Sequence, residues 1–130
     1  GEDFARLVFV ESDAGSNTER AMTARPELLG DVILGRKDTP TSYHLSVVHD
    51  DALQGVTHVI RGEDLRASTH IHVLLQKLLG LPTPIYRHHA LLTGPDGKRY
   101  AKRDRSLTLA ALREAGVSAA DIRSRIGLPV

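Results

Sequence analysis

The sequence contains no cysteine, which excludes disulfides, thiol catalysis and every cysteine-based zinc site, and fits a reducing compartment. No stretch approaches the roughly 18 consecutive apolar residues of a membrane helix. The start, GEDFARLVFVESDAG, lacks the basic and apolar regions of a signal peptide. We therefore expect a cytoplasmic protein without a membrane partner.

The charges nearly cancel, with 17 Lys and Arg against 16 Asp and Glu. No global field attracts polyanions, so any contact with nucleic acid would use local patches. With 130 residues, 41% of them hydrophobic, the chain fits one domain with a core of useful size. Because the first residue is Gly1 rather than Met, we expect a piece of a longer chain.

β-branched runs alternate with helical patterns along most of the chain. The runs DVILGRK (31–37), GVTHVIRG (55–62) and IYRHHALL (85–92) predict strands, and TSYHLSVVHDDALQG (41–55) predicts a helix between the first two. The polar stretch after LVFV, up to residue 30, predicts a loop or small appendage. Strand, helix, strand, helix, strand predicts an α/β fold with a parallel sheet.

The strongest helical pattern begins at Ser68 or Thr69, either of which can cap the helix, and ends at Gly80 and Pro82. Its apolar face is predicted to consist of Ile71, Leu74, Leu75, Leu78 and Leu79. Further on, TLAALREAG and SAADIRSRIG predict two short helices, the second with a capping box of Ser118 and Asp121.

Seven histidines invite a metal site, but their spacing argues against one. His70 and His72, two apart on a helix, point roughly 200° apart. His88 and His89 are adjacent on a predicted strand and face opposite sides. We therefore expect no metal ligands. The sequence also lacks the G-x-S-x-G motif of serine hydrolases and the two common nucleotide-binding motifs, G-x-G-x-x-G and Walker A.

Arg61 lies at the end of a predicted parallel strand, where open α/β sheets place ligand-binding groups. A guanidinium there offers a planar fork suited to a carboxylate. Tyr43, on the preceding helix, could add a hydroxyl to the same pocket. Glu63 and Asp64 follow at once and are equally consistent with a salt bridge or a helix cap.

Three blocks, SYHLSVVHDDALQGVTHVIRGEDL, STHIHVLLQKLLGLPTP and DGKRYAKRD, resemble in order and spacing the second half of the catalytic domain of the glutamyl-tRNA synthetase family, class I aminoacyl-tRNA synthetases. The resemblance covers roughly residues 30 to 127. It implies the C-terminal half of a Rossmann-like domain in residues 31–105, including a KMSKS-like loop. Residues 106–130 would form a helical pair, and residues 1–30 the tail of an insertion or a linker.

The resemblance also implies site residues. Tyr43 and Arg61 match family residues that bind L-glutamate. Lys102 matches the second lysine of the K-M-S-K-S signature, which meets ATP, so it is the expected catalytic group, with Mg²⁺ implied beside ATP. The KMSKS-like loop would comprise Arg99, Tyr100, Ala101, Lys102 and Arg103. Arg99 and Ala101 replace the first lysine and the serine of the signature, so the loop lacks the hydroxyl that in the family pattern could contact phosphate or brace the loop.

Within the family, YHL followed by Val47, together with RGEDL, favours the short bacterial paralogue that attaches glutamate to the queuosine base of tRNA(Asp). The alternatives are a fragment of a glutamyl-tRNA synthetase that charges tRNA(Glu), or a non-catalytic tRNA-binding remnant. The family's R-x-(A/S)-P-S-P-(T/S)-G and H-I-G-H-like segments and the paralogue's zinc ligands are absent. We therefore expect this chain alone to be inactive and to pair with a missing N-terminal half or with itself.

Overall fold

The computed structural model describes residues 6–13, 15–16, 18–94, 97 and 108–129. Its contacts divide the chain into two compact units, Gly1–Ala90 and Leu91–Val130. None of the helices within the described ranges is long and apolar enough to cross a membrane.

In its described residues, the first unit combines a four-stranded sheet with two α-helices and two short 3-10 helices, Pro26–Leu29 and Glu63–Leu65. The sheet has the order β2-β1-β4-β3, in which β4 runs parallel to both β1 and β3 while β1 and β2 are antiparallel. The α/β class is thus confirmed, but the sheet is mixed rather than wholly parallel. The strands are β1 (Val8–Ser12), β2 (Glu19–Thr23), β3 (His58–Gly62) and β4 (Ile85–His89), and the helices are α1 (Tyr43–Leu53) and α2 (Ser68–Leu79).

The prediction of a loop after the first apolar run is wrong. In that stretch β1 and β2 form a hairpin, paired from Val8↔Thr23 to Ser12↔Glu19. All five residues of β2 are exposed, so this edge strand carries none of the apolar alternation that reveals a half-buried strand. Phe9 of β1 is buried in the main core against Tyr86 of β4. The assignment of residues 1–30 to an insertion or linker stays a prediction.

The strand predicted for residues 31–37 is also wrong, since this segment pairs with no strand. Its alternation nevertheless has a structural consequence. Val32 and Leu34 pack against the cluster of Val48, Ile71 and Leu75, while Ile33 between them is 60% exposed. The alternation of apolar residues in this segment therefore indicates that one side of an extended chain is buried. It does not indicate hydrogen bonding to a neighbouring strand.

The second helix has the predicted bounds and ends at Gly80, which adopts the left-handed conformation. Its cap and its buried face differ from the prediction. The N-cap is Ala67, without a side-chain hydrogen bond, and Leu78 and Leu79 are about half exposed. The helix contacts both the sheet and α1, so two faces are buried, and they comprise Thr69, Ile71, His72, Val73, Leu75 and Gln76.

The second unit contains the predicted pair of short helices, α3 (Leu109–Glu114) and α4 (Ala119–Arg125). The predicted capping box is present: the Asp121 amide donates to Ser118 Oγ over 3.1 Å, and the Ser118 amide donates to Asp121 Oδ2 over 3.0 Å. Gly127, with φ of 71°, follows the last turn of α4.

Candidate functional site

Arg61 lies at the carboxyl end of β3, where the sequence placed it. Parallel pairing of β3 with β4 sets Arg61 opposite His88. The carboxyl ends of β1, β3 and β4 share one edge of the sheet, the position at which open α/β sheets bind ligands.

Three nitrogens of the Arg61 guanidinium each donate a hydrogen bond to a different side chain. Nε contacts His88 Nε2 at 3.2 Å, a terminal nitrogen contacts His72 Nδ1 at 3.0 Å, and the other contacts Thr69 Oγ1 at 2.7 Å. An arginine has five N–H groups, so these three bonds leave one N–H on each terminal nitrogen without a hydrogen-bond partner among the described residues.

The guanidinium of Arg61 lies over the ring of Tyr86, with the Arg61 carbon Cζ 5.2 Å from the ring centroid. Tyr86 is 1% exposed, and its hydroxyl accepts a hydrogen bond of 2.8 Å from Gln76 Nε2. The ring also stacks on the His88 ring, with centroids 6.3 Å apart and planes 4° apart. A cation above a fixed aromatic face gains electrostatic stabilisation there.

Tyr43, the other predicted glutamate residue, begins α1 and is 49% exposed. Its ring lies edge-on to the ring of His72, with centroids 5.8 Å apart. His72 thus contacts both Tyr43 and Arg61, and the structure brings the two predicted residues to one place. Their roles toward a substrate stay predictions.

Two further contacts extend this cluster. His72 Nε2 lies 3.1 Å from His44 Nδ1 on α1, and His88 Nδ1 lies 2.8 Å from Glu11 Oε1 on β1. The same glutamate oxygen accepts a hydrogen bond of 2.6 Å from Arg66.

Both central histidines have lowered pKa values. Burial, followed by the charge of Arg61 and then His44, lowers the pKa of His72 to about 3. Burial and Arg61 also lower the pKa of His88, against the opposing effect of its hydrogen bond to Glu11. Both rings are therefore neutral near neutral pH, and Arg61 carries its positive charge among uncharged hydrogen-bond partners.

A hollow of about 300 Å³ adjoins the cluster. His88 belongs to both, because it lines the hollow and accepts the bond from Arg61. The walls come from β1, β2, β4 and the turn after β3, and comprise Glu11, Ser12, Asp13, Arg20, Met22, Arg66 and His88. Both acidic and basic side chains line this hollow, and two of them, Arg20 and Asp13, form an ion pair at 3.3 Å.

The KMSKS-like loop cannot be placed in this geometry, since Arg99, Tyr100, Ala101, Lys102 and Arg103 lie outside the described residues. Within the described ranges, no group of three or more His, Cys, Asp or Glu residues could hold a metal ion.

The sequence predicts Arg61 and Tyr43 as site residues but predicts no role for the residues around them. One signal was available on α2: Thr69, His72 and Gln76 are three and four apart, so these polar residues share a face, and that face is buried. Another was the alternation along β4, which buries Tyr86 and His88 while His89 faces solvent. Glu11 gave no such signal, because it lies in the stretch predicted to be a loop.

Residues 17–128 match the family model described as tRNA synthetases class I (E and Q), catalytic domain. The chain is 59% identical over 108 residues to a glutamyl-Q tRNA(Asp) synthetase of Rhodobacter capsulatus, a match that covers 80% of this chain and 39% of that protein. A protein of the same name from Geobacter sulfurreducens is 49% identical over 89 residues, covering 68% of this chain and 28% of the relative. The chain thus spans well under half the length of these relatives.

Solved structures show the same likeness. The glutamate-tRNA synthetase of Elizabethkingia anophelis matches with a TM-score of 0.57 and 31% identity, over 76% of this chain and 20% of that one. A glutamate tRNA ligase of Elizabethkingia meningosepticum, solved in complex with its amino acid, matches with a TM-score of 0.57 and 32% identity, over 75% and 19% of the two chains.

Proposed function

Because the chain belongs to the class I tRNA synthetase (E and Q) catalytic-domain family, we propose that it is the glutamate-binding part of a glutamyl-Q tRNA(Asp) synthetase. Such an enzyme activates L-glutamate with ATP and transfers it to the queuosine base of tRNA(Asp). The names of its relatives from Rhodobacter and Geobacter support this choice of tRNA.

The observation that carries the proposal is the environment of Arg61. Its three hydrogen-bond partners, His72, His88 and Thr69, are all uncharged side chains. A half-buried guanidinium among neutral acceptors keeps its charge available, and one N–H on each terminal nitrogen can donate to an anion. A substrate carboxylate is the ligand that this arrangement suits, and Tyr43 lies close enough to His72 to border it.

The chemistry requires little covalent assistance from these residues. A glutamate carboxylate attacks the α-phosphate of ATP and pyrophosphate leaves. We propose that Lys102 contacts the phosphates and stabilises the charge that grows there. Mg²⁺ would arrive bound to the phosphates of ATP, as is usual for this ion. We further propose that the enzyme acts in the cytoplasm.

A second candidate is glutamyl-tRNA synthetase activity toward tRNA(Glu). It is favoured by the two structural neighbours, which are glutamate-tRNA synthetases. Their identity of 31% and 32% is well below the 59% of the Rhodobacter relative, so tRNA(Asp) is the stronger proposal.

The test is a chimera in which residues of this chain replace the matched segment of the Rhodobacter capsulatus protein. Glutamate-dependent exchange between ATP and pyrophosphate measures activation, and labelled glutamate on tRNA(Asp) or tRNA(Glu) measures the second step. We expect exchange and transfer to tRNA(Asp) bearing queuosine. A folded chimera without exchange, beside an active Rhodobacter control, would contradict the proposal, and transfer to tRNA(Glu) would favour the second candidate.

A further inference from the structure

Two histidines hold the Arg61 guanidinium from different sides of the fold. His72 reaches it from α2 and His88 from β4, over 3.0 and 3.2 Å. An arginine can only donate hydrogen bonds. His72 Nδ1 and His88 Nε2 must therefore be ring nitrogens that carry a lone pair and no proton.

A second partner sets the tautomer of each ring. His88 has its proton on Nδ1, where it donates to Glu11 Oε1 over 2.8 Å. His72 has its proton on Nε2, where it donates to His44 Nδ1 over 3.1 Å. Both second contacts agree with the tautomers that Arg61 requires, so the cluster forms one consistent chain of donors and acceptors.

This chain fixes the plane of the guanidinium. Its three hydrogen bonds, to His72, His88 and Thr69, leave the guanidinium little freedom to rotate. The Tyr86 ring covers one face. Binding then requires less ordering of the arginine, which is the general advantage of a preorganised site.

Neutrality of the two rings is part of this arrangement. Protonation of either ring would remove its lone pair and place a second cation beside Arg61. Burial and Arg61 lower the pKa of both rings, and this effect maintains the acceptor form.

We propose that His72 and His88 are positioning residues, which act as neutral hydrogen-bond acceptors of fixed tautomer and orient Arg61 toward a substrate carboxylate. This inference rests on the proposed function and adds two residues that do not themselves touch the substrate.

Two substitutions of His72 in the chimera separate positioning from packing. In His72→Asn the Oδ1 atom stands where the ring has Nδ1, so the acceptor for Arg61 is kept. In His72→Leu a side chain of similar size has no acceptor. We expect His72→Leu to raise the KM for glutamate at least about tenfold and to leave the KM for ATP unchanged, and His72→Asn to stay within about threefold of the parent. An equal effect of both variants on the KM for glutamate would overturn the inference.

A second measurement does not depend on activity. Long-range ¹H–¹⁵N correlation spectra of the 130-residue chain report which nitrogen of each imidazole carries the proton. We expect the proton of His72 on Nε2 and that of His88 on Nδ1. The opposite tautomer at either ring would overturn the inference even if the chimera activates glutamate. Failure of the parent chimera to exchange would count against the proposed function alone, and the spectra would still decide the inference.

Discussion

Acidification should destabilise the protein through His72, which is 1% exposed and whose pKa is lowered to about 3. In the unfolded chain this ring returns to its ordinary pKa of 6.5. Below that value the unfolded state binds a proton that the folded state excludes. The contribution of His72 to the free energy of unfolding is therefore fully present above pH 6.5 and is lost progressively toward pH 3. From about pH 7 to about pH 5 the linkage relation gives a loss of about 2 kcal/mol from this one ring.

The loss is large enough to measure by thermal unfolding. Average unfolding entropies of about 2.1 cal/mol/K per residue convert 2 kcal/mol into a fall of about 7 °C for a chain of this length. Other groups add to the pH dependence, His88 in the same direction, so the informative quantity is the difference between the parent and His72→Asn. Between about pH 7 and about pH 5, the melting temperature of His72→Asn should fall by about 7 °C less than that of the parent.

A matched control is His89→Asn, which changes an exposed histidine that follows His88 on the same strand. It makes the same chemical change at an exposed position, so its fall in melting temperature on acidification is the reference for that of His72→Asn. If the parent and His72→Asn lost the same number of degrees on acidification, a neutral buried His72 would be refuted.

Three further predictions follow from the same structure. Arg61→Ala in the chimera should raise the KM for glutamate at least about tenfold, or about 1.4 kcal/mol for a lost charge-assisted bond; an unchanged KM would remove Arg61 from the pocket. Glu11→Leu should lower the free energy of unfolding by about 1–3 kcal/mol, because it leaves the His88 Nδ1–H and Arg66 without their acceptor. Urea titration measures this loss, and Glu11→Gln, which keeps an oxygen for His88, should lose less. Gly80→Ala should cost about 1 kcal/mol, since Gly80 has a φ of 66°, and an unchanged urea midpoint would contradict a left-handed helix end.

Local sequence signals were sufficient to predict the structural features that depend on residues close together along the chain. The order of predicted strands and helices gave the α/β class. The first helix was predicted from its length, its Ser/Thr start and its glycine stop, and α2 from its apolar periodicity and Gly80. The last short helix was predicted with the capping box of Ser118 and Asp121. The resemblance of three sequence blocks identified the family that the comparison with residues 17–128 confirms. It also selected Arg61, whose place at the end of a strand is a local property.

Partners that are distant in sequence were beyond such signals. The hairpin of β1 and β2 lacked an apolar pattern because β2 is exposed throughout, so the segment that supplies Glu11 resembled a loop. His88 and Glu11 are 77 positions apart, and Arg61 and His88 are 27 apart. Those contacts exist because β4 lies between β1 and β3 in the sheet. The sequence by itself determined which residue carries the charge, whereas strand order and helix packing decided which neutral groups hold that charge in place, because hydrogen bonds form between atoms adjacent in space rather than along the chain.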